Sequence, residues 1–172
     1  RVVGTAKQVM YVRVVGPQYG RIPACIRREE PLHEIPNLKV VTDHGEMQLH
    51  DYIGDNWGIL FSHPKDFTPV CTTEFSAVAK LSDEWEKRKT KVIGISVDSA
   101  EDHVKWKVDI EKFGGSKAGF PIIADTDLKV AKAFDMLPSE AHLPEGRTPA
   151  DSATVRSVFI VSPEKKLQLI KI

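Results

Sequence analysis

Two short apolar runs, Trp57-Gly58-Ile59-Leu60-Phe61 and Val92-Ile93-Gly94-Ile95-Ser96-Val97, stand either side of a helical pattern. Each run has the length of a buried strand and is too short for a helix. Between them Phe75, Val78, Leu81 and Trp85 recur at helical spacing, which predicts a helix from about 69 to 88. A strand, a helix and a second strand at this spacing form a βαβ unit with a parallel pair. Parallel sheets gather their sites at the carboxyl ends of the strands. The stretch from Ser62 to Glu74 lies at such an end.

That stretch contains Cys71. Thr68 suits the N-cap and Pro69 suits N1, where a missing N–H costs nothing. Cys71 is then N3, in the first turn, where unpaired N–H groups and the helix dipole favour negative charge. A thiol there ionises more readily than a free one. A small buried cysteine packed under the helix start is the alternative, since cysteines are often buried.

The rest of the chain extends the sheet. Leu38 to Thr42 alternates as a strand, Asp43 to Glu46 is a turn, and Met47 to Tyr52 holds a short strand and a helical turn. Ser99 with Asp102 matches a capping box and opens a helix to about Phe113, stopped by Gly114-Gly115-Ser116. Phe120 to Ala124 is a short strand with Pro121 at its edge or first position. Asp127 starts a helix through Phe134, and residues 138–152 are a Pro- and Gly-rich loop. Strands over Val155–Val161 and Lys166–Ile172 are joined by a hairpin at Ser162-Pro163-Glu164-Lys165. The total is an α/β fold, a central mixed β-sheet flanked by helices. The pattern fits a thioredoxin-like sandwich and also allows a flavodoxin-like sheet.

Composition narrows the function classes. The 172 residues carry 24 basic and 24 acidic side chains, so no global field points to nucleic acid or an anionic membrane. No apolar run approaches a membrane span. Two cysteines, Cys25 and Cys71, cannot build a disulfide framework, and a reducing, cytoplasmic setting is the default. Residues 1–35 form an unplaced extension, with six basic residues and no acid before Glu29. Its basic, acid-poor character resembles a mitochondrial leader, but it has no serine; an unstructured leader is the blander expectation. The chain begins at Arg1 rather than Met, as a processed, trimmed or partial chain would.

A thiolate nucleophile needs a cation. Arg156, between Val155 and Val158, is the first candidate, because an Arg inside an apolar strand must be paired or turned to solvent. Glu74, one turn into the helix, can orient it or simply favour the dipole. His63 either hydrogen-bonds near Cys71 or ends the strand. A cysteine hydrolase is a rival, with His63, His103 or His142 as base. Disulfide exchange fits less well without a Cys-x-x-Cys pair. No metal site is expected, since His44, His50, His63 and Cys71 lack compact ligand spacing. A binding module would leave the Thr-Pro-x-Cys helix start unexplained.

Pro64-x-x-x-Thr68-x-x-Cys71 resembles the active-site pattern of the peroxiredoxins, and Glu74 and Arg156 stand where that family keeps supporting residues. The string from Ser62 to Glu74 looks like the 1-Cys, peroxiredoxin 6-like subgroup, and the likeness runs from about Pro36 to Lys171. The resemblance implies a thioredoxin-fold peroxidase rather than a hydrolase, with Cys71 as the peroxidatic nucleophile that becomes a sulfenic acid. It implies that Pro64 shields the site, Thr68 hydrogen-bonds the peroxide, and Arg156, oriented by Glu74, stabilises the thiolate and the leaving oxygen. His63 would sit beside the sulfur. The substrates implied are hydrogen peroxide and organic or lipid hydroperoxides, with no metal, haem or other cofactor. The partners implied are an external thiol such as glutathione and a second copy of the chain in a homodimer. A non-catalytic redox sensor or binding protein on the same fold is the alternative.

The chain departs from that subgroup in three places. A phospholipase segment, Gly-Asp-Ser-Trp-Gly in some members, reads Gly54-Asp55-Asn56-Trp57-Gly58 here. His50 and Glu164 are kept, but an amide cannot replace a serine nucleophile, so no lipase is expected. The domain from residue 36 ends at Ile172, short of the family's C-terminal arm, and residues 1–35 have no counterpart.

Overall fold

The computed structural model describes residues 33–136 and 154–171. Seven strands form one sheet: β1 (Lys39–Thr42), β2 (Gly45–Gln48), β3 (Trp57–Ser62), β4 (Thr90–Ser96), β5 (Ile122–Ala124), β6 (Val158–Val161) and β7 (Leu167–Lys171). Their order is β2-β1-β5-β4-β3-β6-β7. β4 is parallel to both β3 and β5, and the other neighbours are antiparallel. The helices are α1 (Leu49–Ile53), α2 (Pro69–Lys80), α3 (Ser82–Lys87), α4 (Ala100–Gly114) and α5 (Lys129–Ala133).

The βαβ expectation holds, with Ile59 opposite Val92 and Ser62 opposite Ile95. Alternation along the central strands splits their side chains between two cores. Leu60, Ile93, Ile95, Ile123 and Phe159 join Leu49 and Ile53 of α1 and Val130 and Ala131 of α5. Phe61, Val92 and Ile122 join Cys71 and Phe75 of α2 and Trp106 and Ile110 of α4. Cys71 is thus part of the second core.

Several boundaries differ from expectation, each for a physical reason. The helix expected over 69–88 breaks at Leu81 into α2 and α3. The Val78 carbonyl at the break accepts both the Leu81 N–H and the Trp85 indole N–H, so the exposed end of α2 is satisfied without continuing. The strand expected over Val155–Val161 starts only at Val158. Ahead of it the Ser62 N–H still donates to the Ser157 carbonyl at 2.9 Å, but the Ser62 hydroxyl makes the next bonds, donating to the Val155 carbonyl and accepting from the Ser157 N–H. Arg156 therefore lies on this irregular approach and not inside a strand.

Pro121 stands just before β5, an interior strand, and its carbonyl accepts the Gly94 N–H at 3.0 Å. Two carboxylates cap the start of α5: Asp127, as expected, accepts the Lys129 N–H at 3.1 Å, and Asp125 takes the next two donors. The buried Asp125 carboxylate accepts the Val130 and Ala131 N–H groups at 2.8 and 2.6 Å. The Ser99 cap is as expected, accepting the Asp102 N–H, and Gly115 ends α4 in the left-handed region at φ 69°. The hairpin closes at Ser162–Lys165. Ile35, placed in the extension by the sequence, is 4% exposed and belongs to the first core. The loop expected over 138–152 and Cys25 lie outside the described residues.

Candidate active site

β3 delivers the chain to the site, and the loop from His63 to Thr68 turns it into α2. The turn is made at Phe67, a non-glycine residue at φ 58°, a conformation that L side chains adopt at a cost of roughly 1–2 kcal/mol. Thr68 is the N-cap by backbone geometry and Pro69 is N1, so Cys71 occupies N3 as counted from the sequence. Thr68 does not cap with its side chain: its hydroxyl donates to the Lys65 carbonyl at 3.2 Å.

The Cys71 side chain is 1% exposed. Arg156 Nη2 donates to Cys71 Sγ at 3.6 Å, and Arg156 Nη1 pairs with the Glu74 carboxylate. Glu74 is three residues after Cys71, so both project from one face of α2. The ion pair fixes one arm of the guanidinium and leaves the other on the sulfur. A cation held there stabilises negative charge on Sγ without having to reorganise.

The first turn of α2 is tied to α4. The Trp106 indole N–H donates to the Thr72 hydroxyl at 3.0 Å, and that hydroxyl donates to the Thr68 carbonyl at 2.8 Å. Trp106 is fully buried and packs against Phe75, ring centroids 4.7 Å apart.

His63 is also buried, 1% exposed, with its ring 4.7 Å from those of Phe75 and Trp106. Its Nε2 meets Asp66 Oδ1 at 2.6 Å, and its Nδ1 has no hydrogen-bond partner among the described residues. No hydrogen bond joins it to the Cys71 sulfur. Burial, the largest influence, lowers the His63 pKa despite the Asp66 carboxylate beside it. Asp66 itself was missed by the sequence, although it stands three residues after His63 in the turn. Its other oxygen meets His103 Nδ1 at 2.6 Å. Pro64 is half-buried in the same loop. His142 lies outside the described residues.

His63, Asp66 and Asp98 bring possible ligand atoms within 4.8 Å of one another. These atoms are engaged internally: Asp66 Oδ1 by His63, and Asp98 Oδ2 by the Asp66 N–H and the Ser96 hydroxyl. The grouping is a hydrogen-bond network rather than a fit for a metal. On the opposite face, His50 Nε2 lies 2.8 Å from the Ile35 carbonyl and the Asn56 amide donates to the Ile53 carbonyl.

A mixed sheet with a thiol in the first turn of the helix after a central strand is the arrangement of a thioredoxin-like α/β protein. The chain belongs to the AhpC/TSA family, whose model matches residues 31–170. It is 49% identical over 138 residues to the mitochondrial peroxiredoxin PRX1 of Saccharomyces cerevisiae, covering 80% of this chain and 52% of that protein. It is 46% identical to peroxiredoxin-6 of Gallus gallus, covering 79% and 61%. The 1-Cys peroxiredoxin PER1 of Triticum aestivum is 44% identical, with 78% and 60% covered. Among solved structures, an Arenicola marina peroxiredoxin 6 superposes with a TM-score of 0.73 at 38% identity, covering 83% of this chain and 64% of that one. A yeast mitochondrial 1-Cys peroxiredoxin, described with its thiol resolving mechanism through glutathione and thioredoxin systems, gives 0.73 at 46% identity, covering 83% and 67%. The chain spans between half and two thirds of the length of these curated relatives. Among the described residues no helix is long and apolar enough to cross a membrane.

Proposed function

We propose that this protein is a thiol-dependent peroxidase that reduces hydrogen peroxide and organic or lipid hydroperoxides through a sulfenic acid on Cys71. The observation that carries the proposal is Arg156 Nη2 at 3.6 Å from Cys71 Sγ, held by Glu74. The thiolate attacks one peroxide oxygen, an S–O bond forms and the O–O bond breaks. The leaving oxygen departs as alkoxide or hydroxide and takes up a proton, giving an alcohol or water and the cysteine sulfenic acid. Arg156 stabilises the thiolate before the step and the leaving oxygen during it. The Thr68 hydroxyl, not used as a cap, is available to the peroxide, and Pro64 keeps bulk water from the sulfur. His63 shapes the inner wall rather than binding the sulfur.

Turnover needs an external thiol, glutathione or a similar reductant. One thiol displaces water from the sulfenic acid to give a mixed disulfide, and a second releases Cys71. The glutathione and thioredoxin systems named for the yeast 1-Cys structure support this source of electrons. No cofactor takes part. The working form is a homodimer, in the cytoplasm or, as for the yeast relative and in keeping with the basic first residues, in mitochondria.

The test is steady-state peroxide consumption with several hydroperoxides and several thiols. Cys71→Ser abolishes turnover and Cys25→Ser leaves it largely intact. Equal loss in both variants would point to a Cys25–Cys71 cycle instead. A single oxidation without sustained turnover under any reductant would favour a redox sensor on the same fold.

A further inference from the structure

Asp66, His63 and His103 form a buried network whose proton count can be deduced from its partners. His103 is fully buried on α4, and Asp66 is 3% exposed in the loop between β3 and α2. His103 Nε2 lies 3.2 Å from the Ile123 carbonyl oxygen, which can only accept. His103 Nδ1 lies 2.6 Å from Asp66 Oδ2. A neutral imidazole has one N–H. With that proton directed at Ile123, a neutral ring would meet the carboxylate lone pair to lone pair. For both contacts to be hydrogen bonds, the pair needs one proton more than neutral histidine and ionised aspartate supply.

We propose that His103 carries both ring protons at neutral pH and forms with Asp66 a proton-dependent clasp. The clasp ties α4 to the loop bearing His63, Pro64 and Thr68, and makes Asp66 and His103 positioning residues for that loop. Asp66 Oδ1 then accepts the Nε2 proton of a neutral His63, which leaves His63 Nδ1 as a buried, proton-free acceptor. The ion pair is neutral as a whole, and its hydrogen bonds compensate its burial. Burial alone would raise the Asp66 pKa, but the hydrogen bonds from His103 and His63 outweigh it and hold the carboxyl below its ordinary range. The other groups facing the pair are His63 at the end of β3 and Asp98 after β4, whose carboxylate accepts the Asp66 N–H at 2.8 Å. Asp125, after β5, directs its carboxylate to the start of α5 instead. The clasp does not depend on what Cys71 does.

An unfolded chain above pH about 6.5 holds no such proton, because its histidines are neutral and its aspartates ionised. The folded state then binds one proton more than the unfolded state, so this contribution to stability is present below that pH and is lost as pH rises. His63, buried neutral, acts only on the acid side and does not blur this window.

Asp66→Asn provides the contrast. An amide oxygen still accepts from His63, and an amide N–H donates to a neutral His103, so the hydrogen bonds survive without the extra proton. The experiment is long-range proton–nitrogen NMR of the uniformly labelled full chain at pH 7.5, where an imidazole of ordinary pKa is about nine-tenths neutral. Both His103 nitrogens should read as protonated in the parent protein, and only Nε2 in the variant. Between pH 7 and 8.5 the parent's unfolding constant should rise relative to the variant's by up to about tenfold per pH unit. A singly protonated His103 in the parent overturns the proposal even if the variant fails to fold. Parallel pH profiles for the two proteins overturn it as well.

Discussion

Arg156 and Thr68 make contrasting contributions that single substitutions can separate. Arg156 Nη2 is the cation on Cys71 Sγ, and its other arm is set by Glu74. Charge-assisted hydrogen bonds contribute about 1.5–3 kcal/mol, so Arg156→Ala should slow alkylation of Cys71 by iodoacetamide at pH 7 by at least about tenfold. Arg156→Lys should restore only part of the rate, because one ammonium cannot hold a carboxylate and the sulfur in the same fork. An unchanged alkylation rate in Arg156→Ala would remove the arginine from the site. Thr68 reads in sequence as a side-chain cap, but its hydroxyl faces the Lys65 carbonyl. Thr68→Val should therefore change unfolding free energy by no more than about 0.5 kcal/mol, while peroxide turnover falls tenfold or more. At this scale Cys71, Thr68 and Pro69 were legible because capping is local. Asp66 was not, because its second partner, His103, stands 37 residues away and reaches it only through the fold.

The elements around the site are held by close approach. A Cβ on Gly114 of α4 would stand 2.7 Å from Ser76 Cβ of α2, and the Ser76 hydroxyl donates to the Ile110 carbonyl at 3.1 Å. The two helices meet there with no space for a methyl group. Gly114→Ala should destabilise the protein by about 1–3 kcal/mol in denaturant unfolding, by driving α2 from α4. Nearer the site, Trp106→Phe keeps a ring against Phe75 but removes the N–H that holds Thr72. It should cost about 1–2 kcal/mol and raise amide exchange in the first turn of α2 relative to the last. Uniform exchange along α2 would show that the indole hydrogen bond does not hold that turn. The strands and helices themselves were largely visible as periodicity. The break at Leu81 and the late start of β6 were not, because the Trp85 indole and the Ser62 hydroxyl decide them across or outside the local pattern.

For the molecule as a whole, two buried groups set the acid limb of stability. The His63 pKa is lowered, chiefly by burial, so below pH about 6.5 the unfolded chain takes up a proton that the folded chain resists, and stability falls with pH. Asp66 is held below its ordinary range against the opposing effect of burial; its contribution is present above pH about 3.8 and disappears as the carboxyl protonates. Thermal unfolding across pH 4–7 should show the loss beginning near 6.5, and His63→Gln should delay its onset to lower pH. An unaltered onset would assign the acid limb to other groups. The sequence by itself determined the βαβ core, the two-faced sheet and the thiol at a helix start, because hydrophobic period, caps and chain direction act between near neighbours. The sequence offered Arg156 as a candidate cation, but only the tertiary structure decided how distant groups meet at the site. Arg156 reaches Cys71 from the approach to β6, Trp106 fastens the helix start from α4, and His103 meets Asp66 across the same contact. These pairings arise from how strands far apart in sequence are ordered in the sheet, and no local periodicity encodes that order.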